Sequence, residues 1–193
     1  MRSILICLVF ASSLAPAWSM PSPDQCTSQC NPIKRIERLF QEDQDARSSG
    51  FDGDWDKISV DDAARRKEAA TLIANGDIVT ADDYYHAAYI FQHGDTPEDY
   101  LKAHALATAS VLKGRTDAAW IAAATLDRYL QSTGKPQIFG TQYKVRNGEA
   151  TQEPYDRSTI SDSLRAAFDV RSLEKQEETR AQLQREAMEK KLR

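Results

Sequence analysis

Three consecutive predicted helices in the middle of the chain are joined by turns of only a few residues. Thr80 and Thr96 are suited to N-capping the first two, and Pro97 suits a first helical position. Gly114 and Gly134 mark the ends of the second and third helices. Because such short connections force neighbouring helices to run antiparallel, they limit the fold more than any other feature. The predicted helices cover about residues 81–92, 97–113 and 117–131.

The segments on either side complete a mainly α prediction. Two helices come earlier, from Pro32 to about residue 46 and over about 60–74, separated by a loop at 48–58. After Gly134 the pattern becomes extended, and Asn147-Gly148 is typical of a hairpin turn. We therefore expect an antiparallel helical bundle or helical-hairpin array, with a small β-hairpin near residues 137–152.

The C-terminal part is predicted to contain a short helix and then a charged one. Ser161 caps the short helix, which runs to about Val170, and Ser172 opens the last helix. That last helix has only a thin apolar face, so we expect a solvated arm or a helix that docks on a partner. The predicted organisation is a signal peptide at 1–19, a helical domain at 20–171 and a charged C-terminal helix at 172–193.

The N-terminus has the composition of an export signal. Arg2 precedes an apolar run at 4–10, and small residues offer cleavage after Ala17 or Ser19. This run is too short to span a bilayer, and no later segment approaches the roughly 20 apolar residues that a spanning helix needs. We therefore expect a periplasmic or secreted protein that does not associate with a membrane after cleavage.

Two cysteines, Cys26 and Cys30, follow the predicted cleavage sites. In an oxidising compartment their default state is a local disulfide, although so short a loop gives a small entropic contribution. A redox-active pair usually has two intervening residues, whereas this pair has three. We expect the structural disulfide, with redox chemistry, free thiols or metal binding as the alternatives.

Charge and histidine spacing argue against several classes of function. The chain carries a net charge of −4, and it has no basic stripe, so nucleic-acid binding is not expected. His86 and His93 are two helical turns apart, about 10 Å along the axis, which does not suit one metal ion. His104 shares a predicted core-facing stripe with Leu101 and Leu112, as a hydrogen-bonded core residue would. Neither a metal nor a cofactor is predicted.

The fifth predicted helix ends in two charges that need an explanation. It has no charged residue from Ala118 to Leu126 and should be buried on most sides, yet Asp127 and Arg128 follow. Charges that close a buried helix must be partnered, because an unpaired buried charge is costly. They form either a structural ion pair or cap, or a site where Arg128 holds an anionic or carbonyl group while Asp127 orients a base or accepts a proton.

Polar residues near other element ends extend this candidate site. His93 ends its helix beside a turn, where an imidazole can act as a general base. The run Pro136–Gln142 contains amide and hydroxyl groups that suit either a polar ligand or buried helix ends, and Gly140 permits close backbone approach. The candidate ligand-binding residues are His93, Asp127, Arg128, Gln137, Thr141 and Gln142.

These signatures, taken in order, resemble an uncharacterised bacterial domain family of unknown function. The family is marked by a Gln-His helix end, an Asp-Arg pair and a Pro-Gln-x-Phe-Gly-Thr-Gln run. The resemblance extends from the first helix to Leu173 and implies a shared helical fold and a shared polar site, but no activity. The matching positions are Gln92, His93, Asp127, Arg128, Pro136, Gln137, Gly140, Thr141, Gln142, Pro154, Arg165 and Leu173.

Three functions fit the sequence. The first is an exported binding protein whose His/Asp/Arg/Gln cluster holds a small polar ligand. The second is a hydrolase or transferase in which His93 is the base, Asp127 orients it and Arg128 stabilises negative charge, with water as the nucleophile. The third is a helical-repeat module that binds a protein partner. The sequence leaves open whether the protein is an enzyme.

Overall fold

The computed structural model describes residues 32–48 and 54–192. Within these ranges the protein is mainly α-helical, with one small antiparallel sheet, as predicted. The predicted signal peptide and the Cys26–Cys30 disulfide lie outside the described residues. The elements are α1 (Pro32–Asp45), α2 (Trp55–Ala74), α3 (Ala81–Gln92), α4 (Pro97–Leu112), α5 (Ala118–Ser132), β1 (Lys144–Arg146), β2 (Glu149–Thr151), α6 (Asp162–Ala167) and α7 (Leu173–Leu192).

The first five helices form the main core. α4 packs between α3 and α5, while α1 packs on both α2 and α3. Buried alanines line the central contacts and let the helix backbones approach closely, and larger residues such as Ile90 and Ile121 fill the space between them. The core alanines are Ala69, Ala87, Ala88, Ala103, Ala107, Ala118 and Ala122.

The helix starts follow the capping residues. Thr80 accepts a hydrogen bond from the Asp83 amide at 3.1 Å, and the Asp83 carboxylate in turn accepts one from the Thr80 amide at 2.8 Å. Thr96 caps α4 in the same position, as predicted. The start of α2 was predicted too late, at about residue 60. Asp54 accepts from the Lys57 amide at 3.0 Å and so starts the helix at Trp55.

The buried face of α4 differs from the predicted stripe. Leu101 is 46% exposed and Leu112 is 83% exposed, so they do not face the core. The face against α3 and α5 consists of small residues and one leucine: Ala103, Leu106, Ala107 and Ser110. Close packing on two neighbouring helices selects small side chains, and that requirement outweighs hydrophobicity at these positions.

The β-hairpin forms at the predicted turn. β1 pairs with β2 in the register Lys144–Thr151, Val145–Ala150 and Arg146–Glu149. Asn147 and Gly148 have φ values of 54° and 85°, which a tight two-residue hairpin turn requires. The hairpin packs against α7 rather than standing alone.

The final helix is not a free solvated arm, because its polar residues attach it to the hairpin. Gln176 is only 2% exposed. The Gln184 side chain accepts from the Ala150 amide at 2.9 Å and donates to the Gly148 carbonyl at 2.5 Å. α7 therefore docks through glutamines rather than through an apolar stripe. Among the described helices, none combines the length and apolar composition that crossing a membrane demands.

Candidate functional site

His93 caps the C-terminal end of α3 and is paired with a buried carboxylate from α1. Its Nδ1 lies 2.9 Å from Asp43 Oδ1, and Asp43 is 1% exposed. The imidazole itself keeps 17% of its surface accessible. A carboxylate that accepts from Nδ1–H fixes the tautomer in which Nε2 carries the free lone pair. The partner of His93 is thus Asp43, fifty residues earlier, and not Asp127.

Asp43 is held by further donors at the C-terminal end of α1 and in the turn that follows it. Gln44 donates to Oδ2 at 2.8 Å, and Arg47 donates to Oδ1 at 3.1 Å. Arg47 also forms an ion pair with Asp62 on α2, and Arg65 donates to the same Asp62 carboxylate at 2.5 Å. These buried carboxylates are therefore matched by guanidinium groups, as buried charges must be.

The backbone beside His93 is also fixed to α2. Arg66 donates to the His93 carbonyl at 2.7 Å and to the Asp95 carboxylate at 2.7 Å. The next residue must be glycine, since a Cβ on Gly94 would lie 2.2 Å from the Asp99 Cβ. The imidazole is thus held in place both by the backbone contacts of the turn between α3 and α4 and by Asp43 of α1.

Arg128 on α5 is within the electrostatic influence of Arg47 but lacks an acidic partner among the described residues. It is half-buried, and no carboxylate of the described residues forms an ion pair with it. Burial lowers the pKa of its guanidinium, the Tyr100 phenol to which it is hydrogen-bonded raises that pKa, and the charge of nearby Arg47 lowers it. Because an arginine stays protonated in proteins, this is a positive charge without a counter-charge.

Two donors on α5 are buried without an acceptor. Arg128 Nε and Gln131 Nε2 both lack a hydrogen-bond partner within the described part of the chain. They are three residues apart and so lie on neighbouring positions of one helix face. Arg65 Nε has no hydrogen-bond acceptor either, although it lies 4.0 Å from Asp43 Oδ1 in an ion pair. We call the full set the helix-end site: Asp43, Arg47, Asp62, Arg65, His93, Tyr100, Arg128 and Gln131.

Asp127 belongs to a different region. It is completely buried, and its carboxylate accepts four hydrogen bonds from the 138–141 segment. The amides of Ile138 and Phe139 donate to Oδ1 at 2.8 and 3.0 Å. The Thr141 amide and hydroxyl donate to Oδ2 at 2.9 and 2.8 Å. This carboxylate is saturated, so it holds the segment against α5 and has no free lone pair directed at a ligand.

Gln137 and Gln142, two of the predicted site residues, are hydrogen-bonded to each other across the same segment. The Gln142 amide donates to Gln137 Oε1 at 2.9 Å, and Gln137 Nε2 donates back to the Gln142 carbonyl at 2.9 Å. Gln137 also donates to the Gln152 carbonyl, and its side chain has no exposed surface. Gln142 itself is only partly buried and donates to the Ala124 carbonyl at 3.3 Å.

Three side chains that the sequence did not single out complete this region. Gln176 donates to the Phe139 carbonyl at 2.9 Å, and Tyr155 donates to it at 3.1 Å. Gln152 donates to the Gly140 carbonyl at 2.7 Å. We call this set the polar core: Asp127, Gln137, Thr141, Gln142, Gln152, Tyr155 and Gln176. Arg165, at another position of the resemblance, is fully buried beside it and pairs with Asp162 at 3.0 Å.

The six candidate residues therefore divide between two regions. Asp127, Gln137, Thr141 and Gln142 meet in the polar core, while His93 and Arg128 contribute to the helix-end site. The missed Asp43 had a detectable signal, since it follows Ile36 and Leu39 at helical spacing and both are buried. Asp62 and Arg65 likewise share the spacing of buried Ala69 and Leu72 on α2.

The other two histidines lie apart from the helix-end site. His86 stacks on Phe40 with ring centroids 4.5 Å apart. His104 Nδ1 lies 2.9 Å from the Ala122 carbonyl, as expected for a hydrogen-bonded core residue. No group of histidine, cysteine and acidic side chains in the described ranges is placed to hold a metal ion.

The side chains of the helix-end site determine the chemistry that is available there. Neither family models nor curated proteins nor solved structures include a match to this chain. The arrangement offers an imidazole fixed by a buried carboxylate, an uncompensated guanidinium and unpaired N–H donors. The guanidinium and the N–H donors can bind a negatively charged, oxygen-rich group, and the imidazole can accept a proton.

Proposed function

We propose that the protein binds a small oxyanion, a carboxylate or phosphate group, at the helix-end site. The observation that supports this most is Arg128, a half-buried guanidinium without a carboxylate partner in the described residues. The Arg128 side chain has neither full hydration nor a counter-charge. An oxyanion supplies both a charge and acceptors in the planar geometry that guanidinium groups favour.

The unpaired donors point to an acceptor-rich ligand. A buried donor without a partner costs about 1–3 kcal/mol, and both Arg128 Nε and Gln131 Nε2 are in that state. A ligand that gains access to these buried donors recovers much of this cost on binding. A cationic ligand would leave the same donors unpaired and would meet Arg128 and Arg47 with the same sign of charge.

The neighbouring carboxylates do not fill this role. Asp43 is engaged by His93 and Arg47, and Asp62 by Arg47 and Arg65. The Tyr100 phenol raises the pKa of Arg128, and a phenol can both donate to and accept from a ligand. The uncompensated charge is therefore on Arg128. His93 offers its second ring nitrogen, Nε2, since Nδ1 is paired with Asp43.

The binding can be tested by calorimetric titration of the purified mature chain with succinate and, separately, with inorganic phosphate at low salt. We expect at least one of them to bind, and Arg128→Gln to weaken binding at least about tenfold, as loss of a charge-assisted hydrogen bond would. Arg146→Gln is the matched control, because this exposed strand residue makes the same charge change elsewhere. If neither anion binds, or if Arg128→Gln binds as the unchanged protein does, the proposal is wrong.

Export remains part of the proposed function and is tested separately. The Arg2, apolar and small-residue pattern of segment 1–19 supports it. We expect the chain, expressed in a bacterium with a periplasm, to appear there or in the medium with a new N-terminus after Ala17 or Ser19. Recovery of full-length chain with Met1 from the cytoplasm would contradict export.

A further inference from the structure

We propose that the helix-end site is catalytic and that His93, positioned by Asp43, is the general base for hydrolysis of an anionic carboxylic ester by water. This inference rests on the proposed function, because Arg128 must hold the anionic group of the substrate. Asp43 is a positioning residue and does not touch the substrate.

The pairing of His93 with Asp43 is the geometry that such a base requires. Asp43 Oδ1 accepts from Nδ1 at 2.9 Å and is itself held by Arg47 and Gln44. The carboxylate is thus fixed in place, and it fixes the ring in turn. Nε2 makes no hydrogen bond within the described residues, and the ring keeps 17% of its surface accessible. A buried carboxylate behind an accessible imidazole is the arrangement of general bases in hydrolases.

Apart from the ester, the reaction needs only water in addition to the side chains of the site. The water oxygen attacks the ester carbonyl carbon while His93 Nε2 takes one water proton. The carbonyl electron pair moves to oxygen and forms a tetrahedral oxyanion. When that pair returns, the bond to the alkoxy oxygen breaks, and the imidazolium gives its proton to the leaving oxygen. The products are a carboxylic acid and an alcohol, and His93 is neutral again.

The available donors suit this oxyanion. Gln131 Nε2 is a donor without an acceptor, one helical turn from Arg128, and the Tyr100 phenol acts on Arg128 and can itself donate. Donors that are in place before the reaction stabilise developing negative charge at little reorganisation cost. Arg128 can then hold the permanent anionic group of the substrate.

The size of the expected catalytic effect selects carboxylic esters over phosphate monoesters. A positioned general base contributes roughly 10²–10⁴-fold. Enzymatic hydrolysis of phosphate monoesters requires accelerations up to about 10²¹-fold. A carboxylic ester is within reach of an imidazole and a few donors.

The test compares two aryl esters with the full mature chain. The probe is the 4-nitrophenyl monoester of succinic acid, which carries a free carboxylate, and 4-nitrophenyl acetate is its neutral counterpart. After subtraction of the rate of each ester without protein, we expect a higher kcat/KM for the succinate monoester, with a preference that Arg128→Gln removes. His93→Ala should lower kcat/KM by about 100-fold or more, and added imidazole should restore part of the rate. His104→Gln, a histidine outside the site, is the control.

Asp43→Asn tests the positioning role. We expect kcat to fall by on the order of 10- to 100-fold while KM for the succinate monoester stays unchanged, because the ring loses its orientation but Arg128 still binds the anion. A purely structural role would move both constants or the folded fraction. Should Asp43→Asn not fold, imidazole rescue of His93→Ala decides the proposal.

The outcomes separate this inference from the proposed function. Binding of succinate without turnover of its ester overturns catalysis and leaves anion binding standing. Absence of both overturns both. Equal turnover by the unchanged protein and His93→Ala, or equal rates with the acetate and succinate esters, shows only adventitious ester cleavage and also overturns the catalytic proposal.

Discussion

Asp127 and Arg128 are consecutive in the chain, yet they belong to two regions that handle charge in opposite ways. Successive helical residues point about 100° apart, so one side chain enters the polar core and the other enters the helix-end site. The Asp127 carboxylate accepts four hydrogen bonds and has no exposed surface. The Arg128 guanidinium is half-buried and has a buried Nε without an acceptor.

The polar core and the helix-end site show how a structural polar group differs from a candidate binding group. In the polar core, donors and acceptors are matched within the protein, as a well-folded interior requires. In the helix-end site, the acidic groups are matched but Arg128 and Gln131 each keep a buried N–H that is not. Saturation therefore indicates a structural role for Asp127, whereas unpaired donors beside an accessible imidazole indicate a site.

The largest expected effect is on stability and comes from Asp127→Asn. The asparagine replaces two acceptor oxygens by one and places an NH₂ group against N–H donors of Ile138, Phe139 or Thr141. We expect a loss of about 4–5 kcal/mol in the free energy of unfolding, since hydrogen bonds to a buried charge are strong. Urea denaturation measures it. Asp82→Asn is the matched control, because Asp82 pairs with Arg115 at the surface, where such pairs contribute about 0–1 kcal/mol.

A small loss with Asp127→Asn, similar to that of the control, would contradict the structural role. Retained anion binding in the folded fraction of this variant is also expected, because the carboxylate does not face the helix-end site. Loss of binding without loss of stability would instead mean that Asp127 belongs to the helix-end site.

The next effect is expected from Gly140→Ala, which tests how tightly the polar core is packed. A Cβ at this position would lie 2.0 Å from Gln176 Oε1 and 2.5 Å from the Tyr155 hydroxyl. The backbone φ of +83° adds strain for any residue with a Cβ. We expect a loss of about 3 kcal/mol, measured by thermal unfolding.

The control for this substitution is Gly114→Ala. Gly114 also has a positive φ, of +102°, but an added Cβ there would meet no atom within 4 Å. It should cost only the conformational strain, about 1–2 kcal/mol. Equal losses at both positions would mean that the contacts of Tyr155 and Gln176 with the 138–141 segment add nothing to the strain.

The sequence was sufficient to predict the elements whose ends depend on neighbouring residues. Thr80, Thr96 and Asn147-Gly148 each act through neighbours three or fewer residues away, and the elements they mark formed as predicted. The last helix formed where it was predicted, but the expectation of a solvated arm was wrong, because glutamines dock one face of α7 on the hairpin. A helix that packs through amide hydrogen bonds has the same polarity pattern as a solvated one.

The candidate site was harder to predict because its contacts join distant parts of the chain. His93 and Arg128 were identified from their positions at helix ends, but the partner of His93 lies fifty residues earlier, in a segment full of charges. The pairing of Asp127 with the 138–141 amides depends on how the chain turns after Gly134. Only the periodic position of Asp43 on the buried face of α1 could have identified it.

The smallest effect on stability is expected at His86. It tests whether an unpaired buried atom is by itself evidence of a binding site. His86 Nδ1 is buried without a partner, as Arg128 Nε is, but His86 stacks on Phe40 outside both regions. Burial lowers the pKa of His86 from 6.5, and Arg115 lowers it further, while Asp82, Glu37 and Asp83 oppose them. The ring can therefore avoid the cost of an unpaired charge by losing its proton, which arginine cannot do.

The pH dependence of stability separates these two cases. Because the pKa of His86 is lower in the folded protein than in the unfolded chain, the unfolded chain binds more protons just below pH 6.5. The stability associated with His86 is thus fully present above pH 6.5 and is lost as the pH falls through its folded pKa. Urea denaturation at pH 7.0 and 5.5 should show a smaller loss in His86→Phe than in the unchanged protein. Equal losses would mean that burial does not hold His86 neutral. An unpaired buried nitrogen would then not be evidence of a binding site, at His86 or at Arg128.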